Sequence, residues 1–165
     1  MPPKRKTWSV YLLKSTLLHT TRSTYTGMAR PTKDKKTAKG RYLSPMEDVQ
    51  RRLAVHNKGG AGSAKTTRSM RPLVLSAFVT GFKTEGQALA FEKSVKLHGV
   101  QRSELTPIQK KFASFLKVLN LPKWMPYSDP ASDVPLTLHI VNTHVLTSSS
   151  SEQVICPDYV SIVHH

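Results

Sequence analysis

The chain has 165 residues, 38% of them hydrophobic and 21% charged, with 25 Lys and Arg against 10 Asp and Glu for a formal net charge of +15. That length suits one compact domain with a small appendage and can bury a real core, while no apolar run is long enough to span a bilayer. The single cysteine, Cys156, excludes an intrachain disulfide and points to a reducing, intracellular setting.

The charge is unevenly placed. All 25 basic residues lie at or before Lys123 in company with 6 acids, and the remainder holds 4 acids and no Lys or Arg. Such a field draws in polyanions, of which nucleic acid is the commonest that needs a broad surface. A membrane-surface role is less well served, because no basic helix shows a wide apolar face.

Residues 1–7 read as a basic tail, in which Lys4, Arg5 and Lys6 serve equally as an import signal or as solvated charge, without the apolar core of a signal peptide. In 8–27, WSVYLLKSTLLHTTRSTYTG, two short runs form a hairpin. Trp8, Val10 and Leu12 fall on one face of the first run, Ser9, Tyr11 and Leu13 on the other, the period-two signature of a strand. The second run is 23–26, and Gly27 is expected to end it with a bend. Paired tyrosines in a hairpin are most often half-buried packing residues. Residues 29–42, ARPTKDKKTAKGRY, carry six basic side chains and read as a flexible surface loop, in which Lys35 and Lys36 either track a phosphate backbone or solubilise the chain.

Ser44, Pro45 and Glu47 announce a helix by a capping box with proline at its first position. Met46, Val49 and Leu53 should face the core, Arg52 and His56 share one side four residues apart, and the end falls near Asn57. The loop 58–71, KGGAGSAKTTRSMR, mixes glycines, hydroxyls and basic groups, including Lys58, Lys65, Thr66 and Arg68, that suit phosphate contact without matching a Walker motif. A mostly buried strand follows over 73–82. Thr84 and Gln87 then open a helix with Ala88, Leu89, Phe91 and Val95 inward and Glu92 beside them, ending at Gly99. Thr106, Pro107 and Gln109 open a third, core-packing helix that stops before Pro122. Beyond Lys123 the pattern gives a proline-containing loop to 133, one further strand within 135–145, and a flexible tail over 147–165 with a serine run at 148–151.

Phosphodiester hydrolysis requires in-line water, stabilisation of negative charge on the phosphoryl group and help for the leaving oxygen. Glu92 is a hard oxygen ligand for one Mg²⁺ or Mn²⁺ whose other positions are filled by water and phosphate. Arg52 offers a fork for phosphate oxygens, with Arg51 the alternative that could point inward. Tyr11 can orient or activate water, His56 can accept its proton and Tyr25 can position water or phosphate. Each residue has a plainer alternative, such as a helical ion pair of Glu92 with Lys93 or Lys96.

The ordered set Tyr, Tyr, Arg, His, Glu, together with the tripeptides Ser9-Val10-Tyr11 and Tyr25-Thr26-Gly27, resembles the GIY-YIG nuclease superfamily. The resemblance implies a small mixed three-stranded α/β sheet flanked by helices over 8–104, here with a helix and strand extension at 105–146. It carries Tyr11, Tyr25, Gly27, Arg52, His56 and Glu92 over as active residues, and one-metal cleavage leaving 5′-phosphate and 3′-hydroxyl ends. Ser9 and Thr26 depart from the motif, and 29–42 is an insertion. SVYLLKS, RRLAVHNKGG and ALAFEKSVK further resemble the small catalytic subunit of the eukaryotic endonuclease that cuts flaps, forks and Holliday junctions with a large scaffold subunit. This implies a nuclear setting. The RING-like zinc domain usual in that subunit needs more cysteines than Cys156, so the sequence reads as truncated or as a RING-less relative. The rival functions are a non-catalytic branched-DNA-binding module and a sequence-specific nuclease of homing or restriction type.

Overall fold

Alternation of side chains in WSVYLLKS produces β1 (Trp8–Ser15), which pairs antiparallel on one side with β2 (Thr24–Ala29) and on the other with β3 (Leu73–Phe82). This computed structural model describes residues 6–17, 22–36, 40–146 and 154–165, so Lys4 and Arg5 of the basic tail, residues 37–39 of the insertion and the serine run lie outside the described residues. β3 continues antiparallel to β4 (Leu136–Ile140), and β4 pairs parallel with β5 (Val160–His164), giving a mixed sheet in the order β2-β1-β3-β4-β5.

The sheet therefore has five strands where the resemblance implies three. The reason is local: without β4, the backbone donors and acceptors along one edge of β3 would face the solvent, and β4 in turn accepts β5. The expectation of a flexible tail over 147–165 gives way at Val160–His164, a run of five residues whose serine and terminal histidines disguise its strand pattern. β2 also runs past Gly27 to Ala29, so Gly27 does not end the strand.

Three helices cover the two faces. α1 (Pro45–Lys58) starts with the complete capping box of Ser44 and Glu47, and α3 (Pro107–Leu119) with that of Thr106 and Gln109. α2 (Glu85–Leu97) is capped by Thr84 alone, because the Gln87 side chain turns instead to the Lys83 amide at 2.8 Å. The loop 58–71 includes a 3₁₀ helix over Lys65–Met70. Leu89, expected in the core, is exposed, and Ala90 and Ser94 are buried in its place.

The two faces of β1 divide the core. Val10 and Leu12 pack with Ala77, Val79, α2 and α3, whereas Tyr11 and Leu13 pack with Val49 of α1, Met70 and Phe78. Phe91 of α2 sits at the centre of an aromatic cluster, with ring centroids 5.3 Å from Phe82, 5.5 Å from Trp124 and 5.8 Å from Phe115. Each such pair adds about 0.5–1.5 kcal/mol beyond simple burial, enough together to fix how α2 is rotated about its axis. Trp124 lies in a loop, as expected, and is nevertheless a core residue. With Phe91 locked inward, the adjacent Glu92 is carried round the helix, and both α1 and α2 lie against β2. No described helix is long and apolar enough to cross a membrane.

Candidate active site

The register of the hairpin puts Tyr11 opposite Gly27 and Leu13 opposite Tyr25, so Tyr11, Tyr25 and Gly27 share the face covered by α1. The glycine is required for space. Its φ is not positive, but a Cβ on Gly27 would stand 2.5 Å from the Tyr11 hydroxyl oxygen and 3.0 Å from Cε1 of Tyr25. Only a residue without a side chain lets the two phenols lie this close to the strand.

From α1, His56 enters the same pocket. The Tyr11 hydroxyl lies 2.7 Å from His56 Nε2, and the Tyr25 ring stands edge-on to the imidazole with centroids 5.0 Å apart. Tyr11 is 1% exposed and His56 is fully buried. Burial, the neighbouring Tyr25 and Glu92 push the Tyr11 phenol well above its ordinary range, while Arg52 pulls against them. Burial raises Tyr25 too, opposed by Arg52 and Lys96 and reinforced by Glu92. Burial first, then Arg52 and Arg71, pushes His56 down to about 4. At neutral pH both partners are therefore uncharged, and the 2.7 Å contact joins a neutral phenol to a neutral imidazole.

Arg52 is half-buried and Arg51 exposed, so Arg52 is the inward member of the pair. Its Nη1 donates to the Gly62 carbonyl at 2.5 Å, and its guanidinium also bears on the Tyr11 hydroxyl. With Arg30, Thr32, Asp48 and Arg51 it lines a cleft of about 400 Å³ beside α1. Asp48 accepts from the Thr32 amide at 3.1 Å and so ties the 29–42 segment to α1. That segment is not without order: Lys33 bridges Tyr42, and the Asp34 amide donates to the Arg41 carbonyl at 2.6 Å.

Glu92 comes from the other layer of the fold. Its carboxylate accepts from Lys96 at 3.0 Å, the plain helical pair, yet its side chain is only 13% exposed and its field reaches both phenols. Among the described residues no three His, Cys, Asp or Glu side chains gather into a protein-only metal cage. One shielded carboxylate beside the tyrosines fits instead a Mg²⁺-class ion, which keeps several waters and takes the rest of its shell from substrate phosphate.

The structure thus brings Tyr11, Tyr25 and His56 into contact and sets the two phenols in the fields of Arg52 and Glu92. The expected DNA-contacting residues are placed differently. Lys35 and Lys36 lie in a turn of the insertion, Lys58 ends α1, Lys65, Thr66 and Arg68 ride the 3₁₀ helix, and all of these are exposed, as is Arg51. Sequence reasoning passed over two residues that touch His56. Thr67, next to the chosen Thr66, is fully buried with its hydroxyl 3.5 Å from Nδ1, and Arg71 donates from Nε to the His56 carbonyl at 2.6 Å. The clue available was that a basic loop returning directly into the central strand must cross the helix it leaves. A separate, mostly apolar cleft of about 340 Å³ between α3 and residues 145–146 and 154–155 contains none of the set.

Comparison with curated proteins returns no match. Residues 44–102 match the model of the GIY-YIG catalytic domain, a span that includes Arg52, His56 and Glu92 and leaves the tyrosine hairpin outside. This match supports the GIY-YIG superfamily and indicates that the chain is an endonuclease.

Proposed function

We propose that this endonuclease hydrolyses phosphodiester bonds of branched double-stranded DNA, namely flaps, forks and Holliday junctions, leaving 5′-phosphate and 3′-hydroxyl ends. The observation that carries the reading is the buried Tyr11–His56 pair at 2.7 Å, with the Tyr11 phenol in the opposing fields of the Arg52 guanidinium and the Glu92 carboxylate. Branch selection follows from the charge. A strongly basic chain with exposed Arg30 and Arg51 lining the cleft grips phosphates without reading bases, which favours recognition by shape.

Each residue has a task that its surroundings suit. Tyr25 and Tyr11 hold the attacking water in line with the leaving oxygen. As water attacks phosphorus, its proton passes to the Tyr11 oxygen while the phenol's own proton passes to His56 Nε2. The imidazolium then releases that proton to solvent, and the departing 3′-oxygen takes one from solvent. Neither phenolate nor imidazolium is stable in this pocket by itself, so the two transfers are coupled. Arg52 turns spare guanidinium donors to the non-bridging phosphoryl oxygens, where a preorganised charge in a sheltered site is most effective. Glu92 would hold a divalent cation, Mg²⁺ or Mn²⁺, which when bound supplies positive charge against that developing on the phosphoryl group. The resemblance to a two-subunit enzyme extends the proposal to a large scaffold subunit as partner and to a nuclear setting.

The test is cleavage of end-labelled flap, four-way junction and random-sequence linear duplex with Mg²⁺. The reading expects the branched substrates to be cut near the branch and the linear duplex to survive. Equal cutting of linear DNA contradicts branch selection, cutting at one preferred sequence favours a restriction or homing type, and junction binding without cleavage under Mg²⁺ and Mn²⁺ defeats the catalytic reading.

A further inference from the structure

The loop 58–71 folds back on the helix it leaves and touches the site three times: through the Gly62 carbonyl to Arg52, through Arg71 to the His56 carbonyl, and through Thr67 to the His56 ring. The third contact governs chemistry. The Thr67 hydroxyl is fully buried, and it lies 2.7 Å from the Ala64 carbonyl but 3.5 Å from His56 Nδ1. A hydroxyl has one proton, and the carbonyl, at the shorter distance, takes it. What Thr67 turns towards the imidazole is therefore lone-pair density.

A neutral imidazole carries a single N–H, and which nitrogen bears it is set by what the other nitrogen meets. An N–H at Nδ1 finds the Thr67 oxygen. An N–H at Nε2 would point at the Tyr11 oxygen and turn the phenol's own proton away from the imidazole. We propose that Thr67 is a positioning residue that holds His56 as the Nδ1–H tautomer, keeping Nε2 a bare acceptor 2.7 Å from the Tyr11 hydroxyl. The consequence for catalysis rests on the reading of Tyr11 and His56 as the proton-handling pair; the tautomer itself does not. The other groups facing the ring are Tyr25 from β2, Arg52 from α1 and Arg71 from beyond the 3₁₀ helix, and the two arginines, being donors only, cannot replace the acceptor.

The experiment pairs nitrogen–proton correlation spectra of the imidazoles with single-turnover cleavage of a flap by the full chain, its Thr67→Val and its Thr67→Ser variants. Valine keeps the shape and loses the acceptor, while serine restores it. The expected result is His56 protonated at Nδ1 in the parent and in T67S. In T67V the tautomers mix, and the maximal rate falls about fivefold to tenfold, the loss of one neutral hydrogen bond, with KM unchanged and serine recovering the rate. A parent protonated at Nε2 overturns the proposal, as does a folded T67V with parental tautomer and rate. A parent that cuts no DNA yet shows the Nδ1–H form, lost in T67V, supports the assignment of Thr67 while defeating the proposed function.

Discussion

Replacing Gly27 by alanine concentrates its effect on the site. The new Cβ would lie 2.5 Å from the Tyr11 oxygen and 2.7 Å from its Cζ, where ordinary contact begins at 3.4 Å, so the phenol must retreat by about 0.9 Å. It cannot swing aside freely, because the ring is buried between β1 and α1 and its hydroxyl is engaged by His56. Overpacking of this kind costs about 1–3 kcal/mol, which lowers the melting temperature of a chain this size by roughly 2–12 °C. A displacement near 1 Å at reacting groups costs on the order of a hundredfold in rate. Single-turnover cleavage and thermal melting of Gly27→Ala should thus show a large loss of rate with a modest loss of stability. A variant with parental rate and melting temperature would refute the claim that Gly27 is there to admit Tyr11.

Acid should weaken the fold through His56. Its pKa falls from 6.5 in the unfolded chain to about 4 when folded, so on acidification the unfolded state takes up the proton first. The stability from this group is present above pH 6.5 and is lost as pH falls towards 4, about 3 kcal/mol in all at 1.36 kcal/mol per unit for a fully buried ring. His139, pushed down to about 4 by burial and by His165, acts in the same direction. Urea midpoints between pH 7.5 and 5 should therefore fall more steeply for the parent than for His56→Gln, and equal slopes would reject the account. In the core, Phe91→Ala should cost about 3–5 kcal/mol and lower activity as well, because it frees the rotation of α2 that aims Glu92; a thermal melt shifted by less than about 1 kcal/mol would show that the aromatic cluster does not hold that helix.

Local signals made much of this legible. The capping boxes at Ser44 and Thr106 mark helix starts to the residue, and the ten-residue apolar run from Leu73 gives the central strand. The alternation around Tyr11 assigns Val10 and Leu12 to one layer and Tyr11 to the other, because period two leaves no choice once one face is buried. What escaped reading depends on long-range pairing. Val160–His164 gains its strand only by lying beside β4, more than twenty residues away. Gly27 looks like a turn residue until its partner across the ladder is seen to be a tyrosine. Thr67 differs from Thr66 only in the direction a 3₁₀ helix turns it, which composition cannot convey. At the site the residue types and order of Tyr11, Tyr25, Arg52, His56 and Glu92 were readable, whereas the choice of Arg52 over Arg51 required the burial of one side of α1.

Among the described residues Glu92 is the one carboxylate whose field reaches both phenols, and it stands on α2, well over sixty residues beyond Tyr25 in the chain. The most direct measurement is the single-turnover rate on a flap or four-way junction with Mg²⁺ for the parent, Glu92→Gln and Arg52→Ala, alongside their affinity for the same DNA. The account predicts that both variants remain folded and that E92Q still binds, while cleavage drops by at least about a hundredfold in each. Parental cleavage by E92Q or R52A would contradict a single centre built from the hairpin, α1 and α2.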